Sequence, residues 1–136
     1  MLLLLPVLLL MAAASGADQP PLTVSLATDR ASYRSGEPIE LRLTVTNTAD
    51  IPVDLHFNNS QRYDFQIHSA TGLQLWSWAQ ERMFLQVLGK ETFAPKESRV
   101  FTERFLGTLP AGACRVTGML TAREPTPSAA ATFTIE

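Results

Sequence analysis

Apolar and polar residues alternate with a period of two along most of the chain beyond residue 21. Ile39, Leu41, Leu43 and Val45 alternate with Glu40, Arg42, Thr44 and Thr46, a pattern that buries one face of a strand and leaves the other in water. Leu22, Val24 and Leu26 repeat it upstream, and Val53, Leu55 and Phe57 follow the turn "TADIP". "YRSGEP", Tyr33 to Pro38, supplies Ser, Gly and Pro for a turn between the first two. Further on, "YDFQI" and "LQLWSW" form a hairpin around "SATG", and "MFLQVL", Met83 to Leu88, reads as a short apolar strand. "GKETFAPKE", Gly89 to Glu97, reads as irregular. Phe101 and Phe105 mark the next strand, Val116, Gly118 and Leu120 another, and Phe133 and Ile135 the last. A helical turn fits only near Gln80 to Met83. Short strands with turn signals every 8 to 12 residues or so predict an all-β, immunoglobulin-like antiparallel β-sandwich of about seven or eight strands.

The hairpin concentrates Tyr63, Phe65, Trp76 and Trp78. With Ser69 opposite Gly72, Phe65 falls across from Trp76 and Tyr63 across from Trp78, so all four aromatics share one face and read as core. A slip of one residue would turn the tryptophans to the side of Asp64 and make them a partner-binding surface, so register decides between the two readings. Asp64 is disfavoured on a strand. It either accepts hydrogen bonds from turn amides or meets Arg62 or Arg82. Gln61 and Asp64 are candidate partner-binding residues at this end of the molecule.

Before the alternating region the chain opens with "MLLLLPVLLLMAAASGA". The apolar run Leu2 to Leu10 is short of the roughly 20 residues that span a bilayer, and the small residues Ala12 to Ala17 suit a signal peptidase. The expected organisation is a signal peptide over residues 1–17 and a single domain over 18–136, exported and without a stable membrane anchor once cleaved. The 11 basic and 13 acidic residues are interspersed and give a net charge of −2, so no basic surface is set up for nucleic acid. With one cysteine, Cys114, the chain forms no internal disulfide.

No nucleophile elbow, zinc-protease helix, phosphate loop or paired Cys motif is present. His56 and His68 lie on the polar sides of their strands, and neither shares a ligand spacing with Met83, Met119 or Cys114. The expectation is therefore no enzyme activity, no catalytic or metal site and no cofactor. "NNS" fits a glycosylation acceptor at Asn58.

The order "YRSGEPIELRLTVTN", "LHFNNSQRYDFQI", a Gly and Trp before "MF", "AP" with Glu97, and "LPAG" resembles the intracellular proteinase inhibitor (BsuPI) family over roughly Val24 to Leu120. The resemblance makes Tyr63, Phe65, Trp76 and Trp78 family-motif positions. It implies an immunoglobulin-like sandwich, no catalysis and a protein partner, the founding example inhibiting serine proteases, and through the family a bacterial cell with periplasmic or secreted delivery. The chain has Lys96 where the family's Pro-Gly-Glu turn has Gly, Phe105 in place of a Trp, and Cys114 in place of a Tyr. A substrate-like inhibitor needs a stiff extended loop, and "GKETFAPKE" offers Lys90 or Phe93 to a specificity pocket with Pro95 as stiffener. Two functions stay open: an exported, non-enzymatic protein-binding domain, with proteinase inhibition as one form of it, and a structural or envelope-associated interaction module without inhibitory action.

Overall fold

The computed structural model describes residues 20–136; the expected signal peptide at 1–17 lies outside the described residues. Ten strands follow one another: β1 (Leu22–Thr28), β2 (Ser32–Tyr33), β3 (Ile39–Asn47), β4 (Val53–Phe57), β5 (Tyr63–Ser69), β6 (Gln74–Ser77), β7 (Gly89–Phe93), β8 (Ser98–Phe105), β9 (Gly112–Leu120) and β10 (Ser128–Ile135). A 3-10 turn, Ala79–Glu81, follows β6.

One sheet has the order β1-β3-β8 and the other β2-β10-β9-β5-β6, with β4 and β7 paired separately. All pairings are antiparallel except the two-residue match of β2 with β10, which is parallel. The alternation along β3 does what it predicts: Ile39, Leu41, Leu43 and Val45 are buried, with Val45 opposite Val24 in β1 and Leu43 opposite Phe101 in β8. The two sheets close face to face as an immunoglobulin-like sandwich. Gly118 in β9 marks how tightly, since a Cβ there would stand 2.9 Å from Leu43 Cδ1 and 3.4 Å from the Phe65 ring. Tyr63 meets Phe101, and Trp76 meets Phe105, across the same gap, with ring centroids 5.0 and 5.1 Å apart.

Two sequence expectations change. Met83–Leu88 is not a strand but an irregular segment, and Gly89–Phe93, expected to be irregular, is β7. The edge of β4 is taken by β7, with Val53 opposite Phe93 and His56 opposite Lys90, so the more apolar run upstream is left without a strand partner.

The buried amide of Asn47 ties this end of the sandwich together. Its Nδ2 donates to the carbonyls of Ile51, Phe93 and Ala94 at 2.9, 3.2 and 3.0 Å, and its Oδ1 accepts the Ala49 N–H at 2.9 Å. One side chain thus closes the turn after β3 onto the end of β7.

Candidate functional site

The hairpin register differs from expectation by two residues. Ile67 lies opposite Trp76 and Gln66 opposite Ser77, and Trp78 N–H donates to Phe65 O at 2.9 Å. A β-bulge between Ile67 and His68 accounts for one residue of the difference, and the wider closure of the turn, with Ser69 N–H bonded to Leu73 O, for the other. A shift of two keeps each side chain on its face. Phe65 and Trp78 are buried, and Trp76 and Tyr63 are half-buried against the core.

Asp64 points the other way and is 7% exposed. Its Oδ1 accepts the backbone N–H of Phe65 and of Ala79, both at 2.9 Å, and its Oδ2 accepts Ser77 Oγ at 3.2 Å and Gln66 Nε2 at 3.3 Å. Arg62 pairs with Glu91 instead, and the Arg82 guanidinium lies over the Trp78 ring. The carboxylate holds the start of the 3-10 turn in place, and with it the direction in which the chain leaves β6.

From that turn the chain crosses a bed of stacked rings. Trp78 stacks on Tyr63 with centroids 4.7 Å apart. The Tyr63 hydroxyl donates to Glu103, and burial, then this bond, pushes its pKa up. The Arg82 guanidinium lies 4.5 Å above the Trp78 ring, and Phe84 packs on the same ring at 5.8 Å. Trp78 Nε1 is buried without a hydrogen-bond partner among the described residues, so the seat depends on ring contact.

Next along the chain, Leu85 is held at its backbone. Its N–H donates to Ser60 Oγ at 2.8 Å, and its carbonyl accepts the Ser60 N–H at 2.9 Å. Beyond it, Gly89 starts β7 directly beneath Arg62, where a Cβ would stand 2.4 Å from Nη2. Between these fixed points the apolar side chains face water: Met83 is 98% exposed, Leu85 70%, Val87 55% and Leu88 76%. Exposed apolar side chains are the material from which interaction surfaces are built.

Of the residues singled out in the sequence, Asp64, Tyr63 and Trp78 support this segment, whereas Phe93, Lys90, Gln61 and Pro95 do not join its exposed face. Phe93 is buried beneath the Arg99 guanidinium, 4.2 Å from its ring centroid, and cannot enter a partner's pocket. Lys90 is exposed on β7. Gln61 is turned inward, its Nε2 donating to Tyr63 O at 3.0 Å. Pro95 sits in a tight turn in which Glu97 N–H donates to Ala94 O at 3.0 Å. The approach "NNSQR", Asn58 to Arg62, draws suspicion in the sequence, but nothing there pairs Ser60 with Leu85, and sequence reasoning misses Met83–Leu88 because its apolar run reads as a core strand.

The Pro95 turn carries a prediction. Lys96 holds φ +64, a left-handed conformation that suits glycine and is strained for a side chain. It occupies the position where the family turn has Gly. Lys96→Gly is expected to stabilise the fold by about 0.5–1 kcal/mol, even with loss of the exposed bond from Nζ to Thr48 O. Denaturant unfolding checks this, and an unchanged or lower midpoint would refute it.

Charged groups brace the side of the site. Glu91 accepts from Arg62 Nε at 2.9 Å and Arg99 Nη1 at 3.1 Å, and the Arg62 bond leads in lowering its pKa. The Tyr33 hydroxyl, donating to Asp29 at 2.7 Å, does the same there. Because the folded values lie below the unfolded ones, the unfolded chain binds more protons in acid. Stability is therefore full above the ordinary carboxylate range near pH 4 and falls as pH drops through the lowered values. The denaturant midpoint is expected to be lower at pH 3 than at pH 6, with Glu91→Gln narrowing the gap; equal midpoints would contradict it.

Elsewhere, a shallow groove of about 520 Å³ crosses β5, β9 and β10, lined by His68, Arg115, Thr117 and Thr132 among others. Cys114 lines it but is buried, and burial pushes its thiol pKa up.

The family model for the intracellular proteinase inhibitor, BsuPI, matches residues 26–125. No curated protein matches the chain. Among solved structures, the CARDB domain of a Pyrococcus furiosus protein, crystallised with di-metal ions, is similar at 16% identity and a TM-score of 0.52, covering 87% of this chain and 94% of that one. The sporulation control protein Spo0M from Bacillus subtilis aligns at 17% identity and a TM-score of 0.56, over 85% of this chain and 48% of its own. The C-terminal domain of wzt aligns at 14% identity and a TM-score of 0.56, over 88% and 75%. At these identities the likeness is one of fold.

Proposed function

The chain belongs to the BsuPI family of intracellular proteinase inhibitors, and on that premise we propose that it is an exported, non-enzymatic domain that inhibits a serine endopeptidase through Met83–Leu88. The observation that carries the reading is the set of exposed apolar side chains on a backbone held at Arg82, Leu85 and Gly89. A protease cleft binds an extended peptide, and a segment already fixed in place loses less conformational entropy on entering it. Export is supported by the apolar run Leu2 to Leu10 and the small residues that follow it; N-terminal sequencing of the protein from a secreting host is expected to begin at or near Asp18.

Titration of the full chain against subtilisin, chymotrypsin and trypsin tests the inhibition itself. At least one enzyme is expected to lose activity at micromolar chain or below. Full activity of all three, with steady digestion of the chain, would leave a binding module without inhibitory action.

A further inference from the structure

We propose that Met83 is the residue this chain inserts into its protease, and that the receiving specificity pocket is deep and uncharged. This rests on the inhibitory reading above and adds which residue carries it and which class of endopeptidase it fits.

Four observations converge on Met83. The backbone enters the segment extended, with Arg82 at φ −133 and ψ 158. The neighbours on either side, Arg82 and Phe84, both rest on the Trp78 ring. In an extended chain alternate side chains point to opposite sides, so the two that grip the ring turn Met83 outward, and it is the most exposed large apolar side chain among the described residues. The Met83 N–H and carbonyl have no partner among the described residues, which leaves both free to pair with the edge of a cleft. Leu85 fails on this point, because Ser60 occupies both of its backbone groups.

The chemistry of the side chain then defines the pocket. Methionine is long, unbranched and flexible, and suits a narrow deep cavity better than Val87, which branches at Cβ. No residue from Met83 to Leu88 is charged, so nothing in the segment answers an acidic pocket. Ser60 acts as a positioning residue: its bonds to Leu85 fix the chain two residues beyond Met83, as Trp78 fixes it on either side.

The test measures inhibition constants of the full chain and two variants against subtilisin and chymotrypsin, whose pockets are apolar, and trypsin, whose pocket is acidic. Met83→Gly is expected to raise the constant for the apolar-pocket enzymes roughly 10- to 100-fold. Met83→Lys is expected to weaken inhibition of those enzymes similarly and to strengthen that of trypsin at least about tenfold, a gain that misfolding cannot imitate. Near-ultraviolet circular dichroism should match for all three, since the exposed side chain supports no packing. If the wild-type chain inhibits and both variants stay within about twofold of it, Met83 is not the inserted residue, although the inhibitory reading stands. Weakening by Met83→Gly without a trypsin gain by Met83→Lys also overturns the assignment, because Met83 then only touches the enzyme's rim. A wild-type chain that inhibits none of the three overturns the inhibitory reading and this inference with it.

Discussion

Asn47→Ala is expected to lower the thermal unfolding midpoint by about 10–15 °C, corresponding to a loss of about 3–4 kcal/mol. Asn47 is fully buried, its two Nδ2 hydrogens shared among three backbone carbonyls and its Oδ1 accepting one backbone N–H, at two separate turns. Truncation leaves the Ala49 N–H and the carbonyls of Ile51, Phe93 and Ala94 without this partner in a place water reaches poorly, and each net bond of this kind is worth about 1 kcal/mol. Asn47→Asp separates donor from acceptor. It keeps an oxygen for Ala49 N–H but loses every donor and buries a charge, so at neutral pH it should be at least as unstable as the alanine variant. Circular dichroism melts of the two variants check this, and a loss under about 1 kcal/mol for either would mean that the two turns are held by something else.

The second large effect falls on the site. Asp64→Ala is expected to destabilise the fold by about 3 kcal/mol, because two backbone amides, a serine hydroxyl and a glutamine amide lose a charged acceptor, partly offset by no longer burying the charge. Its more specific consequence is local. Ala79 opens the 3-10 turn that leads to Arg82, so freeing its N–H should loosen the chain across Trp78. Amide exchange is expected to accelerate over Ala79–Leu85 more than in the β3 strand, and inhibition to weaken under conditions where the variant remains folded. Uniform acceleration throughout the molecule would show that Asp64 supports only global stability.

Which parts of this were readable beforehand follows from what each segment buries. The period-two runs of β3, β4 and β9 face one way into the core and polar the other, so periodicity was enough to place Ile39, Leu55 and Val116. The hairpin aromatics were also assigned to the right face, although their pairing was off by two residues, since a bulge leaves no mark in the alternation. Met83–Leu88 and Gly89–Phe93 exchanged roles because composition reports apolarity and not pairing. β7 buries Phe93 and keeps Lys90, Glu91 and Thr92 at or near solvent, and its backbone bonds to β4 together with the Arg62–Glu91–Arg99 bridge sustain it. Met83–Leu88 is apolar without being core. Ser60 acts through one hydroxyl and one amide on a residue 25 positions away, and Asn47 through the ends of two turns; neither relation has a local sequence signature.

Ser60's grip on Leu85 and the Arg62 side chain lying over Gly89 also act as a ruler. They measure the number of residues between two points of the scaffold without reading most of the side chains in between, whose packing contribution is small where they stand in water. Substitution along this stretch is therefore almost free for the fold, whereas insertion or deletion breaks the spacing. On the proposed inhibitory reading, a lineage carrying this arrangement can change its target by exchanging side chains one at a time, with stability and recognition free to evolve separately.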